Sequence, residues 1–438
     1  MRIPPYQHYK PSGVEWLGDV PEHWEVKRGR FTMRVNPSAP RLRALKPEDE
    51  VSFVPMEAVG EEGGLSLEQT RTIAEVSNGY TEFQDGDVVV AKITPCFENG
   101  KTALACGLLN GAAYGTTELH VLRAGNSLNR NFLFYVAVSD TFRKLGESEM
   151  YGAGGQKRVP PEFNKNFRMP FPPLVEQQAI AEFLDWETGR VSLLLDKKQE
   201  LLERLKEKRT ALISRSVTRG LPPADARAAN LSENVTLKPS GAEWLGDIPA
   251  HWEVKQLKWA IMFQRGHDLP SDERADGAVP LVSSAGISAF VSKAAAKGPG
   301  IVTGRYGTIG EFYLVDEDYW PLNTTLYSIE LRGNHLRFLW YMLQHLAPLF
   351  LLNAAKSAVP GVDRNDIHPT TTAVPPLPEQ IAIADFLDRE TAKIDALMAR
   401  VEEAVERVRE YRTALITAAV TGKIDVRKAV FFEIRGKC

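Results

Sequence analysis

An eighteen-residue stretch of this chain occurs twice, and that duplication limits the folds available to it. The sequence reads KPSGVEWLGDVPEHWEVK from Lys10 and KPSGAEWLGDIPAHWEVK from Lys238, an offset of 228 residues. The copies differ only at Val14/Ala242, Val20/Ile248 and Glu22/Ala250. Two copies of so long a match indicate two structurally equivalent modules, and a chain of 438 residues has room for two or three domains.

A second repeated segment follows each copy of the first, but at a shorter offset. PPLVEQQAIAEFLDWETGRV begins at Pro172 and PPLPEQIAIADFLDRETAKI begins at Pro375, which are 203 residues apart. Between the repeats lie two inserts, Thr32–Pro170 and Met262–Ala373, whose sequences show little similarity to each other. The layout predicts two modules that share a framework and recognise different things.

The second repeated segments are predicted to be long helices. Paired prolines block helix just before each of them, and apolar residues then recur in alternating steps of three and four, as in a heptad seam. The predicted seam consists of Val191, Leu194, Leu201, Leu205, Leu212, Ile394, Leu397, Val401, Val408 and Leu415, with Lys198, Lys208, Ala404 and Tyr411 at intervening seam positions. We expect the two helices to pair antiparallel, and a helix of about 30 residues would extend ~45 Å.

The overall charge and the cysteine content narrow the function classes. A net charge of −3 argues against a nucleic-acid-binding protein that works alone. The segment from Arg143 to Arg168, however, contains six basic residues and only three acidic ones. No apolar run approaches a membrane span, MRIPPYQHYK has no secretory apolar region, and the three cysteines form no CxxC pair. We therefore expect a cytoplasmic protein without a membrane partner.

Motifs that assemble catalytic sites are missing from the sequence. There is no GxxxxGK[ST] phosphate loop, no HExxH and no GxSxG. The sequence also lacks the [ND]PP[YF] and FxGxG motifs of amino-methyltransferases. GRYGTIG, from Gly304, is rich in glycine but has no lysine, and ENGK, from Glu98, has no identifiable second acid for a nuclease. The chain is therefore predicted to recognise a ligand rather than to transform one.

Together these features resemble the DNA-specificity subunit of Type I restriction–modification systems. WLGDVPEHWEV and WLGDIPAHWEV resemble the openings of its target-recognition domains, and PPLVEQQAIAEFLD and PPLPEQIAIADFLD resemble the starts of its spacer helices. AKITPCFENGK, YGTTELHVLR and GAGGQKRVP in the first insert, and LNTTLYSIELRGN and SAVPGVDRNDI in the second, are similar to target-domain segments. The resemblance covers nearly the whole chain.

The resemblance implies an α+β fold. Two mixed α/β target-recognition domains would be separated by a pair of long antiparallel coiled-coil helices, with a pseudo-twofold internal repeat. The expected boundaries are 1–170 for the first target-recognition domain, 171–220 for the first spacer helix, 221–237 for a linker, 238–373 for the second target-recognition domain, 374–423 for the second spacer helix and 424–438 for a C-terminal tail.

The resemblance also implies a function. Such a subunit is non-catalytic, each target-recognition domain reads one half of a bipartite site in double-stranded DNA, and the spacer helices set the gap and dock two methyltransferase subunits. Motor-nuclease subunits complete the assembly. No cofactor is expected in this chain, because S-adenosylmethionine, ATP and Mg²⁺ belong to the partner subunits. Two alternatives remain, a coiled-coil scaffold with two protein-binding domains and a nuclease that uses Glu98.

Side chains that can read bases or hold phosphates suggest which residues contact DNA. In the first insert the candidates are Lys92, Thr94, Asn99, Lys101, Thr116, Thr117, Gln156, Lys157 and Arg158. In the second insert they are Arg305, Tyr306, Thr308, Asn323, Thr324, Thr325, Ser357 and Arg364. No catalytic residue and no metal ligand is predicted.

Overall fold

The structure of the protein, a computed structural model, describes residues 3–61, 63–152, 155–354 and 361–428. The chain forms two compact units, the first from Met1–Lys198 with Glu403–Cys438 and the second from Gln199–Glu402. Each unit thus combines a repeat and its insert with part of the long helix from the other half of the sequence. Among the described residues, no helix is both long and apolar enough to cross a membrane.

The insert of the first unit contains two four-stranded sheets, with the strand orders β6-β5-β10-β7 and β4-β11-β8-β9. The strands of this unit are β1 (Tyr9–Pro11), β2 (Asp19–Pro21), β3 (Glu25–Arg28), β4 (Met33–Val35), β5 (Glu50–Val54), β6 (Thr70–Thr72), β7 (Thr81–Gln84), β8 (Val88–Ala91), β9 (Thr102–Leu104), β10 (Ala112–Gly115), β11 (Leu119–Ala124) and β12 (Arg168–Phe171). β5 and β10 pair in parallel, whereas β3 and β12 form an antiparallel ribbon. This ribbon ties the first repeated segment to the end of the insert.

The helices of the first unit are α1 (Ile73–Val76), α2 (Arg130–Val138), α3 (Asp140–Ser148), α4 (Pro161–Asn166) and the long α5 (Leu174–Arg219), which continues into the second unit. Ser139 separates α2 from α3, because its backbone is extended and its side chain caps α3. α5 begins directly after Pro172-Pro173, as the paired prolines indicate.

The described residues of the second unit repeat this plan with fewer strands. Its elements are α6 (Pro223–Ala228), β13 (Leu237–Pro239), β14 (Asp247–Pro249), β15 (Glu253–Gln256), β16 (Met262–Arg265), β17 (Val279–Ser283), β18 (Gly286–Val291), β19 (Gly300–Gly304), β20 (Phe312–Val315), β21 (Trp320–Pro321), β22 (Thr325–Glu330), α7 (Leu336–Ala354), α8 (Arg364–Ile367), β23 (Thr371–Val374) and α9 (Leu377–Val420). The sheets run β16-β22-β19-β20 and β18-β17-β21, and β15 pairs with β23 as β3 pairs with β12. The segment predicted as a linker contains α6.

In each unit the two long helices run antiparallel. In the first unit the start of α5, at Leu184, shares a buried core with the end of α9, at Leu415 and Ala419. In the second unit the end of α5, at Ile213 and Val217, shares a core with the start of α9. We call the first repeated segment of each unit, together with its insert, the head of that unit. Burying apolar side chains from the head and from both helices in one core stabilises the packing of each head on its helices.

The seam between the two long helices agrees with only part of the prediction. Val191, Leu205, Ile394, Val401 and Leu415 are buried, and Leu212 and Val408 are half-buried. Leu194, Leu201 and Leu397 are 44%, 41% and 44% exposed, so they lie outside the seam. Thr188, Leu202, Thr391 and Val405 are buried instead. The steps of three and four alternate in the opposite order to the one predicted, which moves every second seam position by one residue.

A buried carboxylate fastens the first repeated segment to the start of the helix. Glu176, in the first turn of α5, is 5% exposed and accepts hydrogen bonds from the Tyr6 hydroxyl at 2.6 Å and the Trp24 indole at 3.1 Å. Its second oxygen lies 2.7 Å from Nε2 of His23. Burial raises the pKa of Tyr6 above its usual range, and the hydrogen bond to Glu176 and the charge of that carboxylate raise it further. The two repeated segments therefore form one structural joint.

Two further side chains of the helix repeat serve the same joint in both units. Oδ1 of Asp185 accepts from the Tyr135 hydroxyl at 2.6 Å, and Oδ1 of Asp388 accepts from the Tyr341 hydroxyl at 2.7 Å. Gln177 and Gln380 each donate to a proline carbonyl just before the helix, at 2.8 Å. These contacts explain why the acid and amide of EQ and the aspartate of FLD recur in both copies, since they fix each head to its helix.

Removal of the Glu176 carboxylate is expected to destabilise the first unit more than the matched change destabilises the second. Glu176→Ala leaves the buried Tyr6 hydroxyl and Trp24 indole without an acceptor, at a cost of about 3 kcal/mol. In Glu379→Ala the chief loss is the contact to His251, because the Trp252 indole has no hydrogen-bond partner among the described residues. Hydrogen exchange resolved by peptide would measure both, and equal losses would contradict the account.

Candidate nucleic-acid interface

Three loops of the first unit meet at the end of β8. The Lys92 amide donates to the Glu118 carbonyl at 2.9 Å, and the Val159 amide donates to the Lys92 carbonyl at 2.8 Å. The Thr94 amide donates to the Lys157 carbonyl at 3.0 Å. Segments 92–101, 116–118 and 155–158, which are far apart in sequence, therefore form one surface. The structure thus brings together the residues predicted in the first insert, and we call this surface the first face.

Thr94 organises the most exposed part of the first face. Its hydroxyl donates to the Gly155 carbonyl at 2.8 Å and accepts from the Lys157 amide at 3.0 Å. Gln156 and Lys157, between and beside these anchors, are exposed. A backbone held at both ends presents an amide and a cation to solvent, and both groups suit base edges or phosphates. Residues 153 and 154 of the predicted GAGGQKR loop lie outside the described residues.

Arg158 is held by a carboxylate that the sequence analysis did not select. Its Nε and Nη2 donate to the two oxygens of Glu118 at 2.9 Å and 2.8 Å, while 41% of its side chain stays exposed. The hydrogen bonds from Arg158 lower the pKa of the Glu118 carboxyl below its usual range. A bidentate pair of this kind fixes the plane of the guanidinium. Arg158 is therefore oriented before any ligand arrives.

The other candidates of the first face also have internal partners. Asn99 donates to Oε1 of Glu61 at 3.1 Å, and Lys101 donates to the Met56 carbonyl at 3.0 Å. The Thr116 hydroxyl accepts from the Glu118 amide at 3.3 Å, whereas Thr117 is exposed. The structure places these residues around the face, and their contact with DNA stays a prediction.

Segments 305–308, 323–324 and 361–364 of the second unit also meet, since the Arg305 amide donates to the Thr324 carbonyl and the Val362 amide donates to the Arg305 carbonyl, both at 2.9 Å. We call this surface the second face, and its chemistry differs from that of the first. Tyr306 is 44% exposed, and Arg364 is exposed at the first position of α8. The Thr308 hydroxyl donates to the Ser284 carbonyl, and the Asn323 amide donates to Oδ1 of Asp268. Thr324 is half-buried, and Ser357 lies outside the described residues. This second face carries fewer exposed cations than the first.

Two predicted contacts of the second insert need correction. Thr325 is 0% exposed, because its hydroxyl donates to the Leu322 carbonyl at 2.7 Å inside the turn before β22. The Arg305 side chain is only 12% exposed and lies 3.5 Å from Asp363, with weak bonds to the carbonyls of Val362 and Asn323. Arg305 braces the loop that carries Tyr306, and Thr325 supports the strand. Neither side chain is free to read a base as placed.

The sequence analysis also missed a hairpin beside the second face. β17 and β18 are joined by a short turn at Ser284 and Ala285, and Thr308 holds the Ser284 carbonyl. On the solvent side of β18, Ile287 and Phe290 are each 55% exposed. A two-stranded ribbon fits the major groove of DNA, and apolar groups there contact thymine methyls. The signal in the sequence is SSAG between two apolar runs.

The described residues show no metal centre. No group of three or more histidine, cysteine, aspartate or glutamate side chains lies close enough to hold a metal ion within residues 3–61, 63–152, 155–354 and 361–428. The groups that the two faces offer to a ligand are hydrogen-bonding groups, cations and apolar side chains.

The two units share a framework and differ in the polar side chains of their faces. The chain belongs to the family described as the Type I restriction modification DNA specificity domain, which it matches over residues 44–204 and 249–407. The match includes both faces and much of both long helices. The resemblance drawn from the repeated segments is thereby confirmed.

Individual relatives agree with this family. The EcoAI specificity subunit of Escherichia coli is 43% identical over 164 residues, which cover 37% of this chain and 27% of that protein. The EcoEI specificity subunit of the same organism is 40% identical over 196 residues, which cover 43% of this chain and 32% of that protein. The chain therefore spans about a third or less of the length of these curated relatives.

A solved structure shows the same fold. It comes from work on complex assembly and conformational transition of the type I R-M system, and it covers 92% of this chain and 99% of its own chain. The TM-score is 0.73 at 17% sequence identity. This likeness confirms the predicted α+β fold class with paired long helices.

Proposed function

We propose that this chain is the DNA-recognition subunit of a Type I restriction–modification assembly. Each head reads one half of a bipartite site, the first face through Gln156, Lys157 and Arg158 and the second through Tyr306, Arg364 and the β17–β18 hairpin. The observation that carries this proposal is the joint repeated in both units, which presents two chemically different faces on one framework. A duplicated frame with unlike faces suits a ligand whose two halves differ in sequence.

The long helices act as spacer and docking surface in this proposal. Each unit exposes large leucines on its helices, Leu193 and Leu194 in the first and Leu201 and Leu397 in the second. Exposed apolar residues on helices that already have a packed seam favour docking of a further chain. One such surface in each unit fits two methyltransferase subunits, which would also supply phosphate contacts that a chain of net charge −3 lacks.

The chain itself is non-catalytic in this proposal. S-adenosylmethionine, ATP and Mg²⁺ act in the methyltransferase and motor-nuclease subunits, and this chain determines which DNA sequence the assembly binds. A coiled-coil scaffold with two protein-binding heads would share the exposed leucines but would need no preference for a DNA sequence. The scaffold and the recognition subunit are therefore separated by sequence selection.

Selection from a randomised duplex library tests the proposed function. The full chain is assembled with the methyltransferase subunits of its own system, and the bound duplexes are sequenced. We expect two short fixed blocks separated by an unspecified gap of constant length. An assembly that binds all duplexes alike would support the scaffold and contradict the proposal.

Arg158→Ala is expected to weaken binding to sites that carry the first half-sequence. Glu118 orients the Arg158 guanidinium, so removal of that guanidinium should cost about 1–3 kcal/mol of binding free energy for such sites. Duplexes whose first block is already altered should lose little further affinity when Arg158 is replaced. The measurement is competition binding with duplexes altered in one block at a time, and Glu118→Gln serves as the matched variant that loosens Arg158 without removing it. A uniform loss across all sequences would assign Arg158 to a phosphate instead.

A further inference from the structure

Two arginines face each other on the ribbon that joins the first repeated segment to the first insert. Arg28 of β3 is the direct antiparallel partner of Arg168 of β12. Residues directly opposite in an antiparallel pair place their side chains on the same face, and like charges at such positions destabilise the pairing. Both side chains are exposed. The ribbon therefore concentrates two positive charges on one surface.

Neither arginine is neutralised by a carboxylate. Across the described ranges 3–61, 63–152, 155–354 and 361–428, Arg28 and Arg168 form no ion pair, and the Arg168 guanidinium reaches only the neutral carbonyl of Gly13, at 3.4 Å. The acid of the same ribbon, Glu25, is paired with Lys27 at 2.6 Å. Two exposed guanidinium groups on one face of the ribbon, without an acid beside them, form a site for a ligand that carries several negative charges.

A third arginine and an exposed aromatic ring extend this surface. Arg30 donates to the Asn166 side chain, which ends α4, and Phe31 next to it is 75% exposed. We call Arg28, Arg30, Phe31 and Arg168 the ribbon patch. Lys258 and Trp259 occupy the positions of Arg30 and Phe31 in the second unit, but the pair opposite on its ribbon is Gln256 and Thr371. The arginine pair is thus peculiar to the first head.

The ribbon patch lies close to the first face along the chain. Arg168 follows Arg158 by ten residues, and α4 takes up six of them. That path can span no more than about 25 Å, which is about seven base pairs of duplex DNA. A duplex read at Arg158 can therefore also pass the ribbon patch. This continuity favours a nucleic-acid backbone over an acidic protein as the ligand.

We propose that the ribbon patch binds the phosphate backbone of duplex DNA beside the half-site read by the first head. The proposal rests on the proposed function and adds an asymmetry to it. The first head holds DNA partly through an arginine pair whose counterparts in the second head, Gln256 and Thr371, carry no charge, so it contributes more of the salt dependence of binding. The contact is independent of base sequence, because a phosphate carries no base information.

A double variant tests the proposal. Arg28→Ala with Arg168→Ala, in the full chain assembled with its methyltransferase subunits, is titrated with a duplex long enough to cover both heads over a range of KCl concentrations. We expect the slope of log affinity against log salt to become shallower by about 2 and affinity to fall on the order of tenfold, equally for selected and unselected sequences. The matched control, Gln256→Ala with Thr371→Ala, should keep the slope.

Two further measurements separate a phosphate contact from a structural role. Arg28→Lys with Arg168→Lys retains the charge and should restore most of the slope, and the melting temperature of the alanine variant should not fall, since a repulsion has been removed. A wild-type slope in the alanine variant would overturn the proposal, as would loss of methyltransferase binding with an unchanged slope. A wild-type assembly without any bipartite preference would refute the proposed function but leave this comparison of slopes intact.

Discussion

Insertion of four residues after Leu201 together with four after Arg400 is expected to lengthen the gap in the recognised DNA by one or two base pairs. Both sites lie in the second unit, where α5 and α9 run antiparallel. Four helical residues add about 6 Å, and one base pair adds 3.4 Å along the duplex. The ion pair between Arg209 and Asp395, at 2.9 Å, sets an antiparallel register in which Leu201 and Arg400 lie near the same level, so the two inserted turns can pair with each other.

The physical basis of this prediction is the rigid joint at each end of the helix pair. Asp185 and Asp388 hold a tyrosine of their own head, and Glu176 is buried between the first head and α5. A head fastened in this way moves with its helix, so added helix length should appear as added distance on DNA. A flexible joint would absorb the extra turn and leave the gap unchanged.

Methylation mapping measures the gap directly. The control replaces exposed residues near the two insertion points without changing the helix length, and it should recognise the parental site. These residues are Glu203, Arg204, Lys206, Glu207, Glu402, Glu403, Glu406 and Arg407. Longer gaps with both blocks intact would support the spacer role. An unchanged gap in the insertion variant would contradict it, even if the blocks themselves stayed the same.

The repeats and helices were predictable because their signals are local and strong. Paired prolines mark the start of α5 and α9, and near-identical segments need no three-dimensional information to be matched. The seam phase was not predictable to one residue, because Leu194 and Leu201 look as suitable for a seam as Leu202 does. The observed phase includes Thr188 and Thr391, which are buried and lie 3.2 Å and 3.1 Å from the hydroxyls of Tyr135 and Tyr341, a contact that the sequence does not show.

The joint between head and helix was only partly visible in the sequence. The repeat shows that His23 and Trp24 recur as His251 and Trp252, but only the structure shows that both contact Glu176, from a distant segment. A pairing over more than 150 residues has no signature in a single sequence. Its indirect trace is that both repeated segments occur together in each half.

The candidate sites show where reading by residue type stops. Glycine-rich loops with donors located the first face, since such loops must be close to the surface. The sequence does not show which side chains are covered by the fold. Thr325 and Arg305 were therefore selected, although the Thr325 side chain is buried and the Arg305 side chain is largely so. Glu118 was missed because an acid beside DNA is unexpected until its arginine partner is known.

The central claim is that each head reads its own half of the site, and a chain with two first heads tests it most directly. Residues 262–373 are replaced by residues 34–170, which keeps both repeated segments in register. Selection from a randomised duplex library should then recover the first half-sequence in both blocks, because both heads carry the first face. Recovery of the parental second block from this chain would contradict the claim, since the insert that is proposed to read it is gone.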